Sequence, residues 1–317
     1  MSTPTRHDED EHELDYDLAD LDAPLSYDPT LPLTPTGNLR RRMVVNRIAE
    51  GGATFAAFAA MVVLAIVTYA VVQRGGSIIS WDFITEPPPL FGGAGGGIAP
   101  ALIGTMLIVG IATVIATPIA ILVALYLTEY AGGRLGAVMR LALDMLNSLP
   151  SIVVGVFVFG LLVTGHHQSG FAASVALAII MLPLIARSTQ EMLLLVPPAM
   201  REAADALGVA RWRSILSVIL PSALGGILTG VVLAVARAAG ETAPLLLLDS
   251  IYNPARVSWN PFDAIPNIPV TIFTASEAAD PQGYKVAWGA AFILLTFILL
   301  TNIAAKALLA RSRKKLS

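Results

Sequence analysis

Long apolar runs alternate with short polar interruptions along this chain, and the lengths of the runs predict its architecture. Six are long enough to cross a bilayer as helices: Gly51–Val72, Ala99–Tyr130, Ala137–Val163, Phe171–Val196, Ala223–Leu248 and Ala287–Leu309. A spanning helix needs about 20 apolar residues, because lipid offers no partner to a backbone group left unpaired. The second run exceeds that length and is expected to tilt, with a bend at Pro118. The pattern therefore predicts an all-α integral membrane protein of six transmembrane helices.

The polar interruption between the fourth and fifth runs has a periodicity of its own. Pro197-Pro198 ends the fourth run and suits a fresh first helical turn. Met200, Ala203, Ala204 and Leu207 then share one helical face, while Arg201, Glu202 and Asp205 fall on others. Gly208 supplies a left-handed stop, and a basic segment, Arg211-Trp212-Arg213, leads back into apolar sequence. The small alanines let something large approach closely. This hairpin reads as a docking knob for another protein.

Composition supports a membrane chain: 55% of residues are hydrophobic and only 14% charged, so few charges remain for the apolar runs. Where the basic residues fall sets the orientation. Arg40, Arg41, Arg42 and Arg47 precede the first run, Arg134 and Arg140 follow the second, and Arg201, Arg211 and Arg213 follow the fourth. Arg311, Arg313, Lys314 and Lys315 end the chain, and only Arg74, Arg256 and Lys285 are left for the other side. Both termini and the docking hairpin are thus expected in the cytoplasm.

The first 39 residues are different material, with ten acidic side chains and few large apolar ones. Burial there is too small to offset ordering, so a disordered acidic tail is expected, and it lacks the basic start of a signal peptide. The net charge of −3 originates in this tail. The predicted organisation is an acidic cytoplasmic tail at 1–42, a first transmembrane helix with a glycine-rich outer loop at 43–97, a transmembrane core at 98–310 containing the hairpin 197–221, and a basic tail at 311–317. Residues 249–286 read as an outer loop, with Tyr252, Trp259, Tyr284 and Trp288 as interfacial anchors. Such a loop either caps a pathway, meets an external partner, or simply connects two spans.

Ionisable residues inside apolar runs are costly and usually face a cavity or a partner. Arg237 lies fourteen residues beyond Ala223, about 21 Å along a helix, with Glu241 one turn further on the same face. Arg187 and Glu191 repeat that spacing in the fourth run, and Asp144 of the third is expected at a similar depth to Arg187. Two arginines at different depths beside the docking hairpin make steps for an anion, with carboxylates that limit the field and permit release. For Arg237 and Glu241 the pathway role is preferred; Asp144 and Glu191 read rather as structural glue between helices. Gly226 and Gly230 form a small-xxx-small face that packs a helix, of this chain or of a partner subunit.

Two gapped patterns carry a family resemblance. Glu202-Ala203-Ala204, three residues, Gly208, nine residues, then Val218-Ile219-Leu220-Pro221 resembles the EAA loop of MetI-like ABC-importer permeases, with Val218 where that family has isoleucine. Arg237-Ala238-Ala239-Gly240-Glu241-Thr242-Ala243-Pro244-Leu245-Leu246 is similar to the segment of PstA-type phosphate permeases, as are Leu182–Leu193 and Ala287-Trp288-Gly289-Ala290-Ala291. The likeness runs from about Ile98 to Ala310. It implies a bacterial plasma-membrane permease for inorganic phosphate that works by alternating access. Met200, Glu202, Ala203, Ala204, Leu207 and Gly208 would sit in a cleft of a cytosolic ATPase, and Arg187, Arg237 and Glu241 would line the substrate route. It further implies a second homologous permease of the PstC type, two ATPase subunits that bind ATP and Mg, and an external phosphate-binding protein.

The chain itself lacks the chemistry of an enzyme. It has no G-x-x-x-x-G-K-[ST] loop, so ATP must be hydrolysed elsewhere, and Phe91–Gly97 precedes a membrane span rather than a nucleotide-binding unit. No cofactor or metal site is expected: cysteine is absent, and His166-His167 lie in a short loop without further ligands nearby. Basic residues follow membrane topology, which leaves nothing to suggest nucleic-acid binding. The alternatives are a permease for molybdate or sulfate, a non-transporting membrane scaffold or sensor, and, faintly, an intramembrane enzyme using Asp144 and Glu191.

Overall fold

The computed structural model describes residues 38–88, 96–250, 253–278 and 280–316. The acidic tail as far as residue 37, residues 91–95 of the glycine-rich loop and Tyr252 lie outside the described residues. All the regular structure described is helical. Among the described residues, five helices are long and apolar enough to cross a membrane, or six when one sharply bent pair counts as a single span.

The first helix, α1 (Asn38–Gly76), continues past both ends of its apolar run and takes in the four arginines at its start. Contacts divide the chain into two units between Val63 and Leu64, within this helix. The first unit presents Phe55, Phe58 and Met61 outward along an exposed, apolar length of helix. The second unit begins with the rest of α1 and a short helix, α2 (Trp81–Thr85), which the Ser80 hydroxyl caps by accepting from Phe83 N–H at 3.1 Å. Next comes α3 (Ala99–Leu125), which closes in a π-helical turn at Tyr126–Tyr130, so the second predicted run is one continuous span.

The third predicted run is not continuous. It forms α4 (Gly133–Ser148) and α5 (Ser151–Val158), the latter extended by a π-turn at Phe159–Val163, and the two halves meet at 100°. Leu149 and Pro150 cause the break. Proline lacks the N–H a helix requires and forces its predecessor towards extended backbone, and both residues have ψ near 135°.

At the centre lies α6 (Gly170–Leu194), the most buried of the spans. Ser169 caps it, accepting from Ala172 N–H at 3.2 Å. Its Ala173, Ala176, Leu177, Ile185 and Ala186 are fully enclosed by α3, α5 and the later helices. Alanine here permits the close helix approach on which packing in lipid depends.

The docking hairpin folds as α7 (Pro198–Ala206) and α8 (Arg211–Ser214), and a π-turn at Ile215–Ile219 carries the chain into α9 (Leu220–Ala238). The fifth span is thus helical from Arg211 rather than from Ala223, and it stops at Ala238 rather than Leu248. Gly240 and Glu241 turn the chain, donating to the carbonyls of Arg237 and Ala238 at 3.1 Å each. Pro244 then opens a separate short helix, α10 (Ala243–Leu248), where its missing N–H costs nothing. The outer connection at 249–286 contains α11 (Ile268–Glu277), capped by Asn267, and α12 (Pro281–Leu316) follows.

Gly226 and Gly230 of α9 pack against Met192 and Ser188 of α6, so their partner helix belongs to this chain. A Cβ on Gly230 would overlap the Ser188 hydroxyl, beside Arg187. Gly230→Leu should destabilise the bundle by about 1–3 kcal/mol, the usual cost of overpacking. A lowered melting temperature in detergent is the expected result; an unchanged one would argue against this close approach.

Candidate substrate pathway and coupling site

The hairpin presents a distinct face. Pro198 sits in the first turn of α7, and Gly208 ends the segment with φ of 67°, a left-handed conformation that glycine adopts without strain. Met200, Ala203 and Leu207 are exposed, Leu207 at 81%, as are Glu202 and Gly208. Ala204 departs from the predicted face: it is only 7% exposed and packs inward. The free apolar stripe is therefore Met200–Ala203–Leu207, which no described residue covers.

Polar contacts anchor the back of this hairpin. Arg201 donates to the carbonyls of Leu193 at 2.8 Å, in the last turn of α6, and Val196 at 3.0 Å, just beyond it. It also reaches Glu129 Oε1 at 3.1 Å, at the π-turn ending α3. Arg211 donates to the Glu129 main-chain carbonyl and lies 5.1 Å over the Tyr130 ring. Glu129 is absent from the sequence-predicted site. A lone carboxylate at the end of an apolar run was the available signal, but its partner is 72 residues away.

The two arginines expected to line a substrate route occupy different levels. Arg187 lies seven residues before the hairpin end of α6 and pairs with Asp144 of α4. Glu191, spaced to pair with Arg187, is exposed instead. Arg237 lies 26 residues after Arg211, about 39 Å along the span at 1.5 Å per residue. It is therefore in the last turn of α9, and since Gly230 packs on Ser188, it lies seven residues, roughly 10 Å, beyond that contact along the bundle. Its Nε is 3.7 Å from Glu241 Oε1, an ion pair that crosses the end of the helix rather than one full turn of it. Arg237 is 58% exposed and Glu241 17%, so the arginine is the accessible member. Its place near the last carbonyls also suits a cation.

Before the start of α6, loop residues line a cavity of about 630 Å³ that includes His166, His167, Asn253, Arg256 and Asp263. His167 Nε2 meets the Phe262 carbonyl at 3.1 Å. Deeper, Asp249 follows α10 and lies beyond the apolar spans. It is fully buried and accepts from Ile265 N–H at 2.7 Å. Burial pushes its pKa up to about 8, against the smaller opposing effect of the Ile265 and Asn267 hydrogen bonds. Because the folded protein holds this proton more tightly than the unfolded chain, the stability it contributes is complete below pH 4 and declines as pH rises through about 8. Melting temperature should accordingly fall from pH 6 to 9, and Asp249→Asn should flatten that slope. Identical slopes in the two proteins would contradict the assignment.

A bundle of apolar helices, one of them broken, with a short amphipathic helix left exposed, is the architecture of a multi-pass membrane protein. Residues 116–314 match the family model for the binding-protein-dependent transport system inner membrane component, and the chain belongs to that family. It is 40% identical over 239 residues to the phosphate transport system permease protein PstA of Haemophilus influenzae, covering 75% of this chain and 84% of that protein. It is 41% identical over 251 residues to the protein of the same name in Yersinia pestis, covering 78% and 84%. Among solved structures, an inward-facing MetNI methionine ABC transporter aligns with a TM-score of 0.57 at 17% identity, over 68% of this chain and 95% of that one. That likeness is one of fold.

Proposed function

We propose that this chain is a transmembrane subunit of an ATP-driven importer that carries inorganic phosphate into the cell. The observation that carries this reading is the 40% identity with a phosphate permease across 75% of the chain. In the full assembly it would pair with a second, homologous permease of the PstC type, two cytosolic ATPase subunits holding ATP and Mg, and an external phosphate-binding protein. The chain itself would hold no cofactor. The distribution of basic residues supports a cytoplasmic hairpin and cytoplasmic termini.

The mechanism has two states. An external binding protein releases phosphate into an outward-opening cavity between the two permeases. ATP-driven closure then presses on Met200, Ala203 and Leu207, and the hairpin rocks α6 and α9 between which it is strung. Arg237, then Arg187, offers charge-assisted hydrogen bonds to the oxyanion. Glu241 and Asp144 occupy the arginines between ions and keep binding weak enough for release. Alternating access of this kind places the substrate at successive faces of one fixed bundle.

Labelled-phosphate uptake in cells lacking this chain, before and after its restoration, tests the reading. Restoration should recover uptake, and excess sulfate or molybdate should not compete. Strong competition by either would transfer the chain to that oxyanion, and unchanged uptake on deletion would end the importer reading.

A further inference from the structure

The importer reading gives the hairpin a route into α6 and α9, to which it is joined by covalent chain. The structure adds a route to α3. Glu129 is only 7% exposed, and both of its acceptor groups serve the hairpin: the carboxylate takes Arg201, and the main-chain carbonyl takes Arg211. Arg201 simultaneously holds the Leu193 and Val196 carbonyls, so one guanidinium clamps α7 to the ends of both α3 and α6. Beneath the clamp, Ala124 and Leu125 of α3 pack with Leu193, Val196, Ile215 and Ile219.

Glu129 also sits within the π-helical turn Tyr126–Tyr130, a widened turn of the kind frequent at functional sites. An unpaired carboxylate at this burial would be costly, so the pair holds its geometry more firmly than an exposed one. We infer that Glu129 is a positioning residue for energy coupling: through Arg201 it binds the docking helix to α3, so that α3, α6 and α7 move as one body when the ATPase closes. The inference rests on the importer reading, and it concerns transmission of force rather than contact with phosphate.

The test uses the complete complex in proteoliposomes, with phosphate uptake and ATP hydrolysis measured in the same preparation. Glu129→Gln keeps the shape of the side chain and removes its charge. Phosphate imported per ATP hydrolysed should fall by about tenfold, within the usual range of coupling effects, while ATP hydrolysis persists. A purely packing role would lower both activities together through loss of assembled complex. Since the chain has no cysteine, Glu129→Cys with Arg201→Cys introduces a unique thiol pair. Joining these thiols with a short bis-methanethiosulfonate linker should restore the transport ratio, and reduction should abolish it again. An unaltered ratio in Glu129→Gln, or a linker that halts transport, would overturn the inference, the latter by showing that the joint opens during the cycle. Absence of phosphate uptake by the unaltered complex would instead defeat the importer reading, so the two failures are distinct.

Discussion

Replacing Arg237 with alanine should lower phosphate uptake by about a hundredfold while the assembled complex remains intact. The size follows from the loss of one charged hydrogen-bonding group, worth up to about 3 kcal/mol, where each 1.4 kcal/mol is about tenfold. Little packing is lost with it, because the side chain is 58% exposed at the last turn of α9. Its contact with Glu241 at 3.7 Å is longer than a good hydrogen bond, which leaves donors free for an anion. Alanine would also leave the Glu241 carboxylate uncompensated on the route, repelling the substrate it now helps to release. Arg237→Lys keeps the charge but not the planar fork, so partial recovery is expected. Initial uptake rates normalised to the amount of complex check this. Normal uptake by the alanine variant would remove Arg237 from the pathway.

The second large effect is expected at the docking helix. Ala203→Trp should abolish both ATPase co-purification and uptake, because the new ring would stand on the exposed stripe between Met200 and Leu207. The fold of the chain itself should be unaffected, since no described residue covers that surface. Cysteine placement gives an independent reading in this cysteine-free chain. A thiol at Ala203 or Leu207 should cross-link to the ATPase subunit, whereas one at the inward-packed Ala204 should not. If neither exposed position ever captures an ATPase in a transporting preparation, the hairpin is not the coupling element.

Much of this architecture was legible in the apolar pattern, because lipid rejects an unpaired backbone and so dictates the length of a span. Proline was read less well. Pro118 and Pro183 remain inside long helices, whereas Pro150 breaks a run through 100° and Pro244 opens a new helix after Gly240. Neighbouring helices decide between these outcomes by re-satisfying, or failing to re-satisfy, the freed backbone groups. The same limit applied to charges. Arg187 and Glu191 have helical spacing, yet Arg187 pairs across to Asp144, and Glu129 gains meaning only beside Arg201.

By itself, the sequence determined which runs are apolar enough to enter lipid, and that a short amphipathic helix stands between two of them. Those properties depend on the nearest residues and on the medium, so local periodicity carries them. Tertiary structure alone decided which spans break, how far along α9 Arg237 lies, that Ala204 turns inward, and which carboxylate each arginine meets. Those depend on contacts between residues distant in sequence, 72 positions apart for Arg201 and Glu129, and only the packing of α3, α6 and α9 around one another brings such residues within reach.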